Sequence, residues 1–475
     1  MLYKSLKPVL ENKKTLFLPI ETAVRELDYK LILAIKSIEK DMQVVIGQTA
    51  VVDLVARQCE NGVIIGKNFI SNQKALKVET FKQLQFNGIR LFFLHEEAGP
   101  SYDSHDDAQR FSSYLNPNDF NEKDILFTWG DNDHDYYTQN SPNAKCKIIK
   151  SGSPRMDMAK KGYSFLFDKE IESIKSKHGK IILLNANLSS NSIIGTEAGL
   201  DHIVKYVTNG DKDLLHYYIG IFTHCNKLFS YFIEMIVDLS ERYPDHTIVL
   251  RPHPSEDETT YNGYLKHLSN VMITREGSLI SWIKASECVI ANYCTTLMEA
   301  YKAGIPALNF KPVINDKLNI TPIDAISKTC ESSDEIIQNL DSIFAGKYSI
   351  KADEDLMKNH LQKSIANFIP GVDSFDIISE LLKQALQSAD SVEIIPEVVP
   401  LYERIKRKLR PIKRKLMERR VRSSASLVSG NRHSATKLRG FDEENLKYKL
   451  DLLEERYGKK VEINWINSQL VILKT

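Results

Sequence analysis

Short apolar runs alternate with helix-like stretches along this chain, in two successive series. Such runs, separated by helical patterns, are typical of the strands of a parallel sheet covered by helices. Six runs lie in the first 155 residues, and five more lie between residues 180 and 310. The predicted strands are 15–19, 43–47, 62–66, 89–96, 124–130, 146–152, 180–187, 247–254, 271–275, 287–292 and 306–310.

The length of 475 residues indicates more than one domain, since a single core stops growing at roughly 250–300 residues. The sequence predicts two Rossmann-like units, 1–155 and 156–330, and a helical segment, 331–390, that packs across both. Residues 391–475 are predicted to form a basic amphipathic segment and a small α/β extension. The ligand cleft of such an arrangement lies between the units, at the carboxyl ends of the strands.

Charge is unevenly distributed along the chain. Residues 403–422 contain eleven Lys and Arg and two Glu, a local charge of +9 within a chain of net charge +1. One helical face of this region is apolar and consists of Leu401, Ile405, Leu409, Ile412 and Leu416. We expect residues 401–422 to lie on an anionic membrane surface. A solvated linker or a nucleic-acid-binding segment is the alternative, and the apolar face favours lipid.

Several classes of protein are excluded by missing patterns. The six cysteines include no CxxC pair, which argues against a zinc site or a disulfide framework. There is no GxGxxG after the first predicted strand and no GxxxxGK[ST], which argues against NAD binding and P-loop chemistry. The N-terminal residues lack the apolar core of a signal peptide, and we therefore expect a cytoplasmic protein.

A polar turn follows the strand predicted at 247–254. Arg251, His253, Pro254 and Ser255 lie there, and Ser255 with Glu258 has the spacing of a capping box, which predicts a helix that begins at Ser255. The amides at such a helix start attract phosphate. His253 would donate a hydrogen bond to a phosphate oxygen, and Arg251 would add fixed positive charge. The alternative is a histidine that only holds a loop together.

A second polar turn follows the strand predicted at 287–292. Asn292, Thr295 and Thr296 precede a helix that also carries Glu299. Two threonines at a helix start can cap its amides or, together with those amides, bind an anion. Both turns are expected to open toward the same cleft, which favours a nucleotide-phosphate site, although capping alone would also explain the threonines.

The first half of the chain offers candidate carboxylates. His95, Glu96 and Glu97 follow the strand predicted at 89–96, where a Glu could serve as general base or as nucleophile in glycosyl chemistry. After the first strand, Thr22 could cap a helix, and Glu21 and Arg25 could reach a substrate. A solvated acidic turn and ion pairs on a helix surface are the respective alternatives.

One segment imitates a metal site. Residues 131–135 (DNDHD) fit the DxD pattern of metal-dependent sugar transferases, but Tyr136 and Pro142 stand where a calcium loop needs Gly and Glu. We expect a solvated loop there and no bound metal.

With these residues in view, the chain resembles the bacterial surface carbohydrate biosynthesis protein family, whose members resemble two-domain GT-B glycosyltransferases. The resemblance extends over nearly the whole chain. Its motifs are FLPIETAVRELDYKLILA, HEEAGP, SGSPRMDM, RPHPSED, SECVIANYCTTLMEAYKAGIPALNF and the closing segment 438–474. The His-Pro element and the Thr pair are also similar to those of sialyltransferases and bacterial Kdo transferases.

The resemblance implies a GT-B-like fold whose first unit binds the acceptor and whose second unit binds the nucleotide sugar. It implies a glycosyltransferase of capsule or lipopolysaccharide synthesis that moves an acidic sugar from CMP, without metal or cofactor, to a lipid-linked glycan at the inner membrane. Arg251, His253 and the Thr pair would bind the donor, while Glu21, Arg25 and His95 would face the acceptor. A nucleotide-sugar epimerase and a non-catalytic scaffold are the alternatives, and nucleic acid is not an expected partner.

Overall fold

The computed structural model describes residues 10, 12–67, 75–95, 115–188, 210, 212–253, 256, 258–314, 321–349, 351–394 and 440–475. It confirms the predicted α/β class with two Rossmann-like units and C-terminal helices, and all eleven predicted strands are present. The basic segment 401–422 lies outside the described residues.

The strands are numbered in chain order. They are β1 (Lys14–Ile20), β2 (Met42–Gln48), β3 (Cys59–Glu60), β4 (Val63–Gly66), β5 (Arg90–Leu94), β6 (Ile125–Thr128), β7 (Lys147–Lys150), β8 (Ile181–Asn185), β9 (Thr247–Arg251), β10 (Val271–Ile273), β11 (Cys288–Ala291), β12 (Ala307–Phe310), β13 (Lys328–Cys330), β14 (Glu393–Ile394), β15 (Glu462–Asn467) and β16 (Leu470–Lys474).

The helices are numbered in the same way. They are α1 (Ala23–Ser37), α2 (Thr49–Ala56), α3 (Ala75–Phe86), α4 (Asp131–Asn140), α5 (Pro154–Asp157), α6 (Asp168–His178), α7 (Lys212–Arg242), α8 (Glu258–Leu265), α9 (Leu279–Ala285), α10 (Thr296–Ala303), α11 (Thr321–Asp324), α12 (Ser333–Phe344), α13 (Glu354–Leu356), α14 (Gln362–Ser364), α15 (Ser374–Gln387) and α16 (Glu443–Tyr457).

The first sheet has the strand order β15-β16-β2-β1-β4-β5-β6-β7. The six strands β2, β1, β4, β5, β6 and β7 are parallel to one another. Strand β16 pairs antiparallel with β2, and β15 pairs antiparallel with β16. The hairpin near the chain's end therefore completes the first unit and does not form a separate extension. The side chains of β16 from Leu470 to Leu473 are fully buried, because they belong to the apolar core that covers the faces of this sheet.

The second sheet has the order β10-β9-β8-β11-β12-β13 and is parallel throughout. Alternate residues of its strands enter two different apolar cores, as a strand covered on both faces requires. Ile182 and Leu184 pack with α7, while Ile181 and Leu183 belong to the core that continues into the first unit. The two units are thus joined by a continuous apolar core.

The chain returns to the first unit after the second sheet is complete. Helix α15 packs on α1, and its Lys383 Nζ lies 2.7 Å from Glu39 Oε1. Within the predicted helical segment 331–390, residues 354–368 are irregular and consist of α13, a π-helical turn, α14 and a 3-10 turn. Regular helix is interrupted because the backbone bonds to the first unit there: Ala366 N donates to Trp129 O at 2.6 Å.

In the described part of the chain, no helix combines the length and apolar character needed to cross a membrane. The long helix α7 instead places Leu228, Phe232 and Met235 in the core beside the second sheet.

Candidate functional site

The strand order of the second sheet reverses between β8 and β11. Numbered within its unit, the strand order is 3-2-1-4-5-6, so the connections of the two central strands leave on opposite sides. This arrangement opens a crevice at the carboxyl ends of those strands, where ligands of open α/β sheets bind. Asn185 ends β8 and is in register with Ala291 of β11 and Arg251 of β9.

Asn185 connects the crevice to the start of α10. Its Nδ2 donates to Thr296 Oγ1 at 3.0 Å, and the residue is 9% exposed. Its Oδ1 finds no hydrogen-bond partner among the described residues. A buried acceptor left unpaired costs free energy, so this oxygen is a place where a ligand donor would be stabilised.

The turn after β11 has a strained backbone. Tyr293 adopts φ 44°, a left-handed conformation that a bulky residue rarely takes. It is held there because its N–H donates to Asn309 Oδ1 at 3.1 Å and Lys311 Nζ lies 4.7 Å from its ring centroid. Asn292 Nδ2 donates to Phe310 O at 2.6 Å and fixes the turn from the preceding residue. The strain therefore fixes the position at which α10 begins.

The two predicted threonines occupy the start of α10. Thr295 is the N-cap residue, but its hydroxyl caps no amide and accepts a hydrogen bond from Arg155 Nη2 at 3.3 Å. Arg155 Nε also donates to Glu299 Oε1 at 2.9 Å. Glu299 is 2% exposed, and its Oε2 has no hydrogen-bond partner in the described part of the chain.

Arg155 is a site residue that the sequence reasoning missed. It lies on α5, in the linker between the two units, 144 positions from Glu299. The signal in the sequence was the motif SGSPRMDM, which was quoted for the family resemblance but was given no role.

The turn that contains His253 is organised by a buried carboxylate. Glu256 accepts hydrogen bonds from His253 N at 3.0 Å, from Tyr261 Oη at 2.9 Å and from Leu188 N. Burial raises the pKa of Glu256, against the lowering effect of these hydrogen bonds. Arg275 Nη2 donates to His253 O at 2.9 Å and closes the turn from the other side.

The helix predicted to begin at Ser255 begins at Glu258, which corrects that expectation. Pro254 and Ser255 lie outside the described residues. Glu256 accounts for the later start, because its side chain holds the backbone of the preceding turn.

Arg251 was expected to place its charge in the crevice, but its guanidinium lies elsewhere. Its guanidinium donates to Glu276 O at 2.6 Å and to Gly277 O at 3.1 Å, and it lies 5.8 Å from the Trp282 ring centroid. Burial lowers the pKa of Arg251 to about 10. The side chain thus stabilises the loop after β10.

The loop after β8 connects the two polar turns. Asn187 Nδ2 donates to Tyr293 O at 3.4 Å, and Leu188 N donates to Glu256 Oε1. Since β9 and β11 both neighbour β8, the ends of these strands are roughly 10 Å apart at a strand spacing of about 4.8 Å. The turns of His253 and Thr295 therefore border one crevice, within reach of one nucleotide.

The first sheet has its own crevice between β1 and β4. Glu21 follows β1 and Lys67 follows β4, with Lys67 Nζ 3.3 Å from both Glu21 Oε2 and Glu26 Oε1. Glu26 is buried, and it accepts hydrogen bonds from Glu21 N at 2.9 Å and from Lys30 Nζ at 2.8 Å. Burial alone would raise the pKa of Glu26, but the charges of Lys30 and Lys67 outweigh it and lower the pKa to about 2.

Glu26, which was not predicted, is therefore the carboxylate that organises this crevice. Thr22 stands at the N-cap of α1 as expected, but its side chain makes no capping bond, and Thr22 N donates to Glu26 Oε1 instead. Arg25 lies in the first turn of α1 and is half-buried. The spacing of Glu26 and Lys30, four residues apart, was the available sequence signal.

His95 lies at the end of β5. Burial, with a smaller contribution from the charge of Lys67, lowers the pKa of His95 to about 3, so the ring is neutral at physiological pH. Its carbonyl accepts a hydrogen bond from Trp129 Nε1 at 2.7 Å. Glu96 and Glu97 lie outside the described residues.

The short linker helix α5 contacts elements of both units. Helix α5 contacts α1, which follows the first crevice, and α10, which begins at the second. The linker between the units therefore packs on both of them and reaches the start of α10 through Arg155.

The segment that imitates a metal site forms the start of α4, which corrects the predicted solvated loop. Asp133 accepts hydrogen bonds from Trp129 N at 2.8 Å and Gly130 N at 2.9 Å, and Asp131 pairs with Lys150. No group of three or more His, Cys, Asp or Glu that could bind a metal occurs in the described ranges.

A cavity of about 470 Å³ lies elsewhere, near the amino ends of the first sheet's strands. It is lined by residues that include Gly62, Arg90 and Asp124. The carboxylate of Asp124 is bound by Leu91 N and Asn121 N, both at 2.7 Å, so it stabilises the loops of this edge. The cavity is separate from both crevices, which lie at the opposite edge.

Comparison of the sequence with protein-family models and with curated proteins gives no match. Solved structures do resemble the chain. The Methanocaldococcus jannaschii UDP-GlcNAc 2-epimerase, solved with UDP-GlcNAc and UDP, is 10% identical with a TM-score of 0.46, covering 78% of this chain and 99% of its own. The S. aureus protein MnaA, solved with UDP, is 12% identical with a TM-score of 0.44, covering 79% and 97%.

A third structure is the wall teichoic acid polymerase TagF, at 10% identity and a TM-score of 0.39, covering 81% of this chain and 92% of its own. All three TM-scores lie below 0.5, so these similarities by themselves assign no activity to this chain.

Proposed function

We propose that this protein is a glycosyltransferase that binds a nucleotide sugar in the crevice between β8 and β11. The observation that carries the proposal is the convergence of two polar turns, around His253 and Thr295, on the loop after β8. Both turns follow strands of one parallel sheet, at the position where such sheets bind nucleotides.

The donor phosphate would bind at the start of α10. The first amides of a helix have no partner within the helix, and the aligned peptide dipoles give this end a partial positive charge. The hydroxyls of Thr295 and Thr296 lie at this end, and His253 adds an imidazole from the neighbouring turn. These groups stabilise the negative charge that develops on a departing phosphate.

The rest of the nucleotide would donate hydrogen bonds to two buried acceptors. Asn185 Oδ1 and Glu299 Oε2 lack partners in the described structure, and each would accept a hydrogen bond from a hydroxyl or amino group. A nucleoside carries both kinds of donor. A free phosphate carries few, so these oxygens favour a nucleotide over an inorganic anion.

We propose CMP as the nucleotide and an acidic sugar as the transferred group. The similarity of the His-Pro and Thr-Thr elements to those of sialyltransferases and Kdo transferases supports this choice. A leaving group with a single phosphate also matches the set of one histidine, two hydroxyls and one helix start. The acceptor would be a lipid-linked glycan at the inner membrane surface, to which the basic segment 401–422 would bring the protein.

The catalytic carboxylate in this proposal is Glu96 or Glu97, which follow β5 in the sequence. Glu26 is unsuitable as a general acid at neutral pH, because its pKa of about 2 keeps it ionised and paired with Lys30. The neutral His95 would contact the acceptor. Glu21 and Arg25, which follow β1, would contact it as well.

The decisive experiment is a thermal-shift panel of CMP, UDP, GDP and their sugars on the full chain. We expect CMP compounds to raise Tm, since a ligand at 100 times its Kd stabilises a protein by about 2.7 kcal/mol. The shift should be lost in His253→Ala and in Thr296→Val. Thr247→Val is the matched control, because Thr247 lies at the amino end of β9 and its hydroxyl donates to His178 O.

The other outcomes separate the alternatives. A response to UDP compounds alone would overturn the CMP assignment. Isomerised nucleotide sugar formed without any acceptor, detected by NMR, would identify an epimerase. If no nucleotide raised Tm, the proposal of a nucleotide-sugar enzyme would be wrong, and a non-catalytic scaffold would be favoured.

A further inference from the structure

Arg155 is placed in the site by a rigid linker. Helix α5 is anchored by Asp157, which is fully buried and accepts a hydrogen bond from Ser374 N at 2.7 Å. Ser153 N donates to Asn367 Oδ1 at 3.2 Å, and Asn367 Nδ2 donates back to Ser153 O at 2.9 Å. With its neighbours fixed in this way, the Arg155 side chain extends to α10.

Two contacts of Arg155 bear on anion binding. The first is the ion pair with Glu299, whose carboxylate lies in the first turn of α10. A carboxylate there competes with a phosphate for the positive end of the helix and would repel it. Arg155 compensates this charge within a buried pair.

The second contact orients a hydroxyl. Thr295 Oγ1 accepts a hydrogen bond from Arg155 Nη2, which occupies one of its lone pairs. A hydroxyl has one donor and two acceptor positions, so an oxygen that accepts from a cation directs its own proton elsewhere. Thr295 is thereby left as a donor at the helix start.

We infer that Arg155 is a positioning residue for the donor phosphate, acting from the linker through Glu299 and Thr295. It makes the start of α10 receptive to an anion by compensating the Glu299 charge and by setting the Thr295 hydroxyl as a donor. The inference rests on the proposed nucleotide site and adds a residue from outside the second unit.

The test measures how much the phosphate contributes to binding. Isothermal titration gives the Kd of CMP and of cytidine. The ratio used is the Kd of cytidine divided by the Kd of CMP, which reports the contribution of the phosphate; the same ratio for uridine and UDP reports that of the diphosphate. We expect Arg155→Ala to lower this ratio at least about 10-fold, as removal of one partner of a buried charge pair does. Arg155→Lys keeps the charge but loses the two-pronged geometry, and we expect an intermediate ratio.

The double variant Arg155→Ala/Glu299→Gln distinguishes this role from a structural one. Removing both charges should return the ratio toward the wild-type value, although the fold has lost the same ion pair. A ratio that stays low in the double variant, or that is unchanged in Arg155→Ala, would refute the inference.

Two further variants keep the test sharp. Thr295→Val removes the oriented hydroxyl and should lower the ratio even if Arg155→Ala fails to fold. Arg242→Ala, which removes an exposed arginine paired with Asp341, should leave the ratio unchanged. If the wild-type chain binds neither nucleotide, the proposed function fails; if it binds CMP but Arg155→Ala keeps the full ratio, only the inference fails.

Discussion

Glu26 and Glu299 are both 2% exposed, and each lies in a crevice at the carboxyl edge of a sheet, paired with a cation. In each case a residue from another element contributes charge: Lys67 to Glu26, and Arg155 to Glu299. Buried carboxylates are stable only when they are paired and hydrogen-bonded. Each carboxylate therefore fixes the loop or helix start around it.

The charge of Glu26 makes stability depend on pH. Its folded-state pKa of about 2 lies below the ordinary value of 4.5, so its contribution is complete above pH 4.5 and is lost as pH falls toward 2. We expect Glu26→Gln to lower the free energy of unfolding by about 3 kcal/mol at pH 7, because Lys30 keeps a buried charge without its counter-ion. Between pH 5 and pH 3, the free energy of unfolding should then fall less in the variant than in the wild type.

Urea unfolding at pH 7, 5 and 3 measures both effects. Glu172→Gln, on the exposed side of α6, is the control and should follow the wild type. Parallel pH profiles of Glu26→Gln and wild type would show that this carboxylate does not carry the acid sensitivity.

At the scale of elements, the two chain crossings between the units pack against each other. Gly152 has φ 72°, and a Cβ there would lie 2.5 Å from Asn367 Oδ1. Gly130 is equally enclosed, since its Cβ would lie 2.1 Å from Lys363 O. Glycine is needed at both positions because the returning chain, at residues 363–367, approaches too closely for a side chain.

A pair of glycine variants isolates this packing. Gly346 has φ 67° with open space around its Cβ position, so Gly346→Ala carries only the left-handed backbone penalty of about 1 kcal/mol. Gly152→Ala carries the same penalty plus a clash with Asn367, and we expect a loss larger by about 2 kcal/mol. Thermal unfolding of the two variants gives the difference directly, and equal losses would contradict close packing of the crossings.

The strands were predictable and the irregular return segment was not. Each buried parallel strand reads as an apolar run, since both of its faces are covered. The short edge strand β13 and the segment from Glu354 to Phe368 lack such runs, because their conformation is set by partners on distant elements.

At the scale of the whole molecule, residues from both ends of the chain lie in one sheet. Strand β16 pairs with β2 along five residues, and Lys449 pairs with Asp28 of α1. Removal of everything after residue 400 would therefore also remove part of the first sheet. A test of the basic segment has to use charge substitution in the full chain.

We expect the full chain to bind vesicles that contain anionic lipid, and to bind them less tightly as salt is raised. Each cation near such a surface contributes about 1 kcal/mol, so reversal of Lys413, Arg414 and Lys415 to Glu should weaken binding by at least roughly 100-fold. Vesicle co-sedimentation with anionic and with zwitterionic lipid gives the comparison.

The matched control reverses three exposed lysines of the described units, Lys123, Lys145 and Lys266. It changes net charge equally and should retain most of the binding. Equal loss in both triple variants would mean that overall charge, and not the basic segment, directs the protein to the lipid.

Local apolar patterning and helix-start chemistry were enough to predict the α/β class, eleven of the strands and the polar turns that follow β9 and β11. They placed Thr295 and Thr296 at the start of α10 correctly. Which charged side chains face the crevice became clear from the packing of the whole chain: Arg251 binds the loop after β10, and Arg155 pairs with Glu299, 144 positions away. Such pairings depend on how two sheets and a linker pack, and local patterning carries no information about them.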